Sequence, residues 1–495
     1  MELNAETAVK RLDELQNRLY AYYFAQNAIY LDSVTAAPRD TSEGRSHALG
    51  VLSEEEYKPF VNDEVGALLG YVLSDPAAFS VKTFREAEEL KDRYDEMTKI
   101  PMDEYVEYQM LVSEAENRWH TAKETNDFEL FRPYLEKIVS ANRRFAAYYD
   151  SSKAPYDVLL DKYEKGASME YLDGFFGRLR ERLVPVIKSL PDRIQPDDAF
   201  LFRHYPADRQ RLLSDYLMDV MGLDRSHCGI AETEHPFTLN FNHSDVRITT
   251  HYLEDNLASS LYSVVHEGGH ALYELGVDGE FDYTALAGGS SMGLHESQSR
   301  FYENIIGRSD EFAALIFPKL LELFPEQLSG VDARQFCRAV NRAQPSLIRT
   351  EADELTYPLH IMVRYELEKR LIAGELEVAE LPAEWNRLYR EYLGVEVPDD
   401  THGVLQDSHW AGGAIGYFPS IRSRKRLRRP DAQADAAGLR RLWRGALRRA
   451  FPRDRMAARA HPSFRMLQKA ERASPRGDRR VRSRYLLRLS HRQDR

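Results

Sequence analysis

The feature that most narrows how this chain folds is a pair of histidines, His266 and His270, set four residues apart in an otherwise apolar stretch. Leu261, Val264 and Val265 lead into the pair, and Ala271, Leu272 and Tyr273 follow it. This pattern predicts a buried helix that starts near Asp255 and Asn256, which offer N-cap chemistry. Residues four apart share one helix face, so both imidazoles point at one place. Left without a partner, two buried imidazoles would be costly. Gly268 and Gly269, between them, each cost about 1 kcal/mol relative to alanine in a helix interior. A helix that accepts this penalty needs close backbone approach by a substrate or a neighbouring strand.

With Glu267, the pair makes the segment His266-Glu267-Gly268-Gly269-His270, an HExxH spacing. Two histidines on one face suit a metal ion, and the carboxylate beside them is placed to take a proton from water at that ion. Zinc in such a site takes a third protein ligand and keeps one position open. Glu296, in Leu294-His295-Glu296-Ser297-Gln298-Ser299-Arg300, is the expected third ligand, and His295 beside it is the alternative. Glu296 lies 26 positions after His270, which allows the first helix to end near Gly276, a loop at Gly288-Gly289-Ser290 and a second helix to return.

The body around this segment reads as helical. Ala8, Leu12, Leu15, Leu19 and Tyr22 recur at spacings of three and four in residues 5–30. Similar charged, Leu-containing segments occupy 83–98, 103–124, 127–150, 169–190 and 208–221, separated by breakers such as Pro101 and Asp127. Residues 235–252 differ: rich in Phe, Thr, Val and Ile, they predict a β-hairpin or small sheet. The expected fold is therefore mainly α, a single large helical body over 1–420. No run approaches a membrane span, and Met1–Arg18 does not read as a signal peptide. Cys228 and Cys337 are the only cysteines, which fits a reducing, cytoplasmic setting.

Charge divides the chain. Residues 421–495 hold 25 Lys and Arg against 6 Asp and Glu, a net +19. The first 420 residues stand at −31, which disfavours a nucleic-acid partner for the body. The basic segment itself reads either as a nucleic-acid or membrane arm or as a sequence of anomalous origin.

Five short motifs occur in order: Asp245-Val-Arg247-Ile-Thr249, the HEGGH segment, His295-Glu296-Ser297-Gln-Ser-Arg300, Ile348-Arg349-Thr-Glu-Ala352-Asp353, and Gly403-Val-Leu-Gln406-Asp407-Ser-His409-Trp410. With Asp32, Thr35 and Pro38 near the N-terminus, they resemble the carboxypeptidase Taq family of metallocarboxypeptidases over about residues 5–420. The resemblance implies a helical body with a deep, closed-ended groove. It also implies one Zn²⁺ per chain, replaceable by Co²⁺, and removal of single residues from peptide C-termini with broad preference. A homodimer is the commonly implied assembly.

Recognising a free C-terminal carboxylate calls for an arginine fork. Arg349 is the first choice, with Arg247 and Arg300 next; for each, a structural salt bridge is the competing role. Tyr417, in Gly416-Tyr417-Phe418-Pro419-Ser420, matches a family stretch close to the substrate and is expected to donate to its carboxylate or to a developing oxyanion; His409 is expected to stabilise the oxyanion likewise. Tyr417 also reads as a plain core residue, and Trp410 as packing. Asp353 or Asp407 is expected to orient a ligand histidine.

After Ser420 the resemblance stops. Codons compatible with the segment from Ile421, read one nucleotide later, give YALGSAYGAQML, the continuation expected of the family; codons near Arg484 do the same for its last helix. Residues 421–495 are therefore expected to be a frameshifted version of the family's C-terminal helices. Such a tail cannot bury apolar surface, so impaired catalysis is one alternative reading. An oligopeptidase or endopeptidase with the same metal centre is the other.

Overall fold

The structure is a computed structural model that describes residues 3–38, 41–233, 235–289 and 292–420; the expectations for 421–495 lie outside the described residues. Helices α1 (Ala5–Thr35), α2 (Ser42–Phe60), α3 (Asp63–Ser74) and α4 (Val81–Lys99) come first. Then follow α5 (Met102–Thr125), α6 (Phe128–Asp150), α7 (Pro155–Tyr163), α8 (Met169–Lys188) and α9 (Ala207–Met221). A three-stranded sheet is made of β1 (Cys228–Glu232), β2 (Thr238–Asn242) and β3 (Asp245–Thr250). Beyond it lie α10 (Leu257–Glu274), α11 (Met292–Arg300), α12 (Asp310–Leu323), α13 (Ala333–Val340), α14 (Tyr357–Ala373) and α15 (Leu381–Tyr392). The fold is mainly α, and the helices expected from periodicity are present within a few residues of their expected ends.

The stripe read in α1 is the inner face of one core. Ala8, Leu12, Leu15 and Leu19 are buried against Val65, Leu68, Leu69 and Val72 of α3 and Ala87 and Leu90 of α4. Asn4 closes α1 with a capping box through Thr7. A larger core joins α5–α8 to α14, α15 and the segment up to Phe418, around Trp385, Tyr365 and Trp410. No helix among the described residues is long and apolar enough to cross a membrane.

The hairpin expected at 235–252 is β2 and β3, paired antiparallel with Thr238 opposite Ile248 and an irregularity between Asn240 and Asn242. Periodicity missed β1, which runs parallel to β3 with Cys228 opposite Val246, giving the order β1-β3-β2. Its five residues, around Gly229, are too few for an alternation to show. Position 238 and position 240 share one strand face, and that face meets α10: Thr238 and Asn240 reach Glu267 and Glu274, seven residues apart on the helix.

The start of α10 corrects one expectation. Asn256 is the N-cap residue but makes no side-chain cap bond, and its Oδ1 is buried without a partner. The glycine expectation also needs amending. The close neighbours of the glycine pair are Met221 and Leu223 at the end of α9 and Gln298, Ser299 and Tyr302 of α11 and its continuation, where a substrate or strand was expected. A Cβ on Gly269 would come within 2.9 Å of the Ser299 Cα and 3.1 Å of the Tyr302 Cβ. On Gly268 it would meet the Met221 Cε at 2.7 Å, the far end of a flexible side chain. The glycine at 269 thus lets α10 and α11 approach backbone to backbone, and that approach carries Glu296 to the two histidines.

Alanine is the better helix former, so a loss at position 269 must come from this crossing. Gly269→Ala is expected to weaken metal binding by about 10-fold or more, the scale of disturbed metal surroundings. Gly268→Ala, facing only movable atoms, is expected to change it far less. Competition with a chelating dye measures both; equal effects would refute the crossing argument.

Candidate metal centre and groove

Both histidines lie on the face of α10 that looks at α11. Their rings stand 5.0 Å apart at 80°. The Glu296 Oε2 lies 3.6 Å from the His266 Nε2 and 3.5 Å from the His270 Nε2. One ligand atom from each residue lies within 4.8 Å of the other two, a set of two imidazoles and a carboxylate that suits a divalent ion. His266, His270 and Glu296 thus form the expected triad. His295 is not part of it.

His295 serves the triad from behind. Its Nδ1 meets the Nδ1 of His270, and its Nε2 meets the Glu274 carboxylate. Glu274 is buried and also accepts from the Asn240 side chain at 2.8 Å and from the Gly289 N–H at 3.1 Å. A donor chain ordered His270, His295, Glu274 leaves the His270 Nε2 lone pair for a metal. His266 is held differently: its Nδ1 lies 2.8 Å from the Glu303 Oε2. Glu303 also takes the Arg300 Nη1 at 3.0 Å, and Arg308 lies 3.5 Å from its other oxygen. Burial opposes its charge, but Arg300, His266 and Arg308 outweigh that and lower its pKa to about 2. For Glu296 too, burial is overcome by His266, His270 and Arg300, and its carboxyl stays well below the usual range.

Glu303 went unread in the sequence. It lies in Phe301–Gly307, a π-helical turn that continues α11. No motif singles it out, and its tie to His266 exists only because this segment packs against α10. Asp353 and Asp407, expected to orient a ligand histidine, touch neither. Asp353 caps the turn before α14, accepting from Leu355 N, Thr356 N and Gln344 N. Asp407 pairs with Arg349 and Arg364.

Glu267 is buried beside the triad, its Oε2 accepting the Thr238 hydroxyl at 2.6 Å. The triad opens into a groove of about 1900 Å³. Tyr23 and Tyr30 of α1 line it on one side, and Arg349, His409 and Tyr417 are among the residues that line it elsewhere. Arg300 reaches it as well, although its Nε holds Glu296 at 2.8 Å. Arg247 is not among the lining residues; its guanidinium forks onto Asp245 at 2.9 Å over the Phe241 ring. Arg349 donates from Nε and Nη2 to Asp407 and from Nη1 to the Tyr357 hydroxyl. Two of its five N–H groups remain for another anion.

His409 and Tyr417 stack, with centroids 5.1 Å apart. Burial, with Arg349 and Arg364 nearby, lowers His409 to about 4 against the pull of Asp407, so the ring is neutral at pH 7. Burial, reinforced by Glu296, pushes Tyr417 up to about 12, so its hydroxyl stays protonated.

A helical body with an HExxH helix, a glutamate from the next helix and an arginine-bearing groove points to the metallopeptidase class. The model of the family described as carboxypeptidase Taq (M32) metallopeptidase matches residues 11–422. Carboxypeptidase 1 of Bacillus subtilis is 40% identical over 419 residues, 84% of each chain. Thermostable carboxypeptidase 1 of Thermus thermophilus is 37% identical over 441 residues, again 84% of each. A Pyrococcus furiosus carboxypeptidase structure superposes with a TM-score of 0.83 at 32% identity, covering 90% of this chain and 89% of that one. The chain belongs to the carboxypeptidase Taq (M32) family and is a metallocarboxypeptidase.

Two outcomes are expected. Glu303→Ala frees the His266 ring and should weaken metal affinity about 10–100-fold by equilibrium dialysis. The second concerns acid stability. Because the folded pKa of His409 lies below the unfolded value, the unfolded state takes the proton first as pH falls. His409 therefore costs stability between about pH 6.5 and 4, by at most about 1.4 kcal/mol per pH unit. His409→Gln should flatten the fall in melting temperature over that window; an unchanged slope would contradict the buried neutral ring.

Proposed function

We propose that the chain is a zinc-dependent carboxypeptidase that cleaves single residues from free peptide C-termini with broad side-chain preference. The observation that carries this is the convergence of His266, His270 and Glu296 beside Glu267, within a groove that also presents the Arg349 guanidinium. His266, His270 and Glu296 would hold Zn²⁺, or Co²⁺ in its place, which would supply Lewis-acid polarisation of the scissile carbonyl and acidify water.

The protein's own groups do the rest. Glu267, fixed by the Thr238 hydroxyl, removes a proton from the attacking water as its oxygen bonds to the carbonyl carbon. It then delivers that proton to the leaving nitrogen as the C–N bond breaks. Arg349 takes the terminal carboxylate on its two remaining N–H groups. Neutral His409 and protonated Tyr417 donate hydrogen bonds to the oxygen on which negative charge develops. Arg300 is the second choice for the carboxylate, since its removal would also loosen Glu296. Arg247 serves β3 instead.

We also infer a cytoplasmic homodimer, supported by the family resemblance and by two cysteines that are both buried and free. Residues 421–495 we read as frameshifted. The family match ends at residue 422, where the charge inverts, and the matches to the Bacillus subtilis and Thermus thermophilus relatives leave 16% of each uncovered. Sequencing the gene across codon 421 decides this, and an intact frame there would sink it.

The activity test is release of the last residue from a short peptide. Release is expected to need a free C-terminus, to vanish after chelation and return with zinc, and to fall at least about 100-fold in Glu267→Gln, the scale of a lost proton-transfer group. Arg349→Ala should raise KM for the free peptide. Cleavage of the amidated peptide at an equal rate would instead identify an endopeptidase.

A further inference from the structure

The inner face of α14 carries three polar side chains one turn apart, His360, Arg364 and Glu368, and all three are fully buried. Two of them hold the segment that supplies one side of the groove. Arg364 donates to the Asp407 carboxylate at 2.6 Å and to Gln406 Oε1 at 3.0 Å. Glu368 takes the Trp410 indole N–H at 2.8 Å on Oε1. On Oε2 it takes the Gly416 N–H at 2.9 Å and the Tyr156 hydroxyl at 2.8 Å.

These partners have a particular place in the chain. Trp410 directly follows His409, and Gly416 directly precedes Tyr417. One carboxylate thus pins both ends of a loop whose outer neighbours are the two stacked groove residues. Glycine is required at 416: φ is +93°, and a Cβ would come within 3.0 Å of the Leu159 backbone. The loop therefore presses on α7 at the point where Glu368 grips it.

The cost of this arrangement argues against a filler role. Burial pushes Glu368 up to about 7, with hydrogen bonds from Trp410, Tyr156 and Gly416 and the charge of Arg364 only partly offsetting it. An apolar residue would pack α14 without such a penalty.

We propose that Glu368 is a positioning residue of the reaction, clamping Trp410 and Gly416 so that His409 and Tyr417 face the substrate together. This rests on the carboxypeptidase reading above. His409 and Tyr417 serve charge that develops only during reaction, so their misplacement lowers kcat and leaves KM nearly alone.

The test uses the full chain with zinc and three variants: Glu368→Gln, Trp410→Phe and Tyr156→Phe. Glu368→Gln and Trp410→Phe are expected to lose about 10–100-fold in kcat, the range for residues that orient an active group. KM should stay within a few-fold and zinc content at the wild-type level. Tyr156→Phe removes a donor outside the loop and should be close to wild type. Loss of kcat only in proportion to lost zinc or lost folded protein, or equal losses in all three, would overturn the proposal. If Glu368→Gln does not fold, Trp410→Phe against Tyr156→Phe still decides. Imidazole NMR of ¹⁵N-histidine protein reads the same placement without turnover. The His409 signal should move in Trp410→Phe and stay put in Tyr156→Phe, and an unmoved signal in both overturns the clamp. A wild-type chain that releases nothing would count against the carboxypeptidase reading, while the NMR comparison would still test the clamp.

Discussion

The backbone contact between α10 and α11 at Gly269 and Ser299 is the constraint on which the centre depends. Two histidines on one helix face define a direction, but a metal needs a third ligand at a fixed distance. That distance is set by how near the second helix comes, and a single methyl group at position 269 would stand in the way. The π-helical turn after Arg300 directly follows this contact in the chain. It carries Glu303 behind His266 while Glu296 stays in front. The strand residues Thr238 and Asn240 complete the arrangement by fixing Glu267 and Glu274 of α10.

Desolvation gives these contacts their weight. Glu296 and Glu303 are kept ionised in a buried site because Arg300 and His266 lie against both. Across the groove, Asp407 plays the same part for Arg349 and Arg364, and Tyr357 links the two regions by receiving Arg349 at its hydroxyl and Arg300 over its ring. The groove is thus lined by charges that are already oriented when a peptide arrives, the condition for electrostatic stabilisation without reorganisation. His409 is the exception: neutral, stacked on Tyr417, and with its Nδ1 lacking a hydrogen-bond partner.

Much of this was legible in the chain. The stripe Ala8, Leu12, Leu15, Leu19 predicted α1 and its buried face, and the HEGGH spacing with Glu296 predicted the triad. Local rules suffice there, because the period of a helix is the same wherever the helix lies. They failed where a second segment decided the outcome. Asn256 has the right chemistry for a cap, yet its oxygen is buried without a partner. β1 was invisible because its pairing with β3 is parallel and distant in sequence. Glu303, Glu274 and Glu368 were passed over because an isolated glutamate in a helix reads by default as solvent-facing.

By itself, then, the sequence determined the helical body and the position of the helix that carries His266 and His270, since each follows from spacing along one segment. The tertiary structure alone decided which charges are buried together: His295 behind His270, Glu303 behind His266, Asp407 on Arg349, Glu368 on Trp410 and Gly416. The physical reason is that a carboxylate acquires such a role only when water is removed from it and specific donors replace that water. Those donors arrive from helices, strands and loops far apart in the chain.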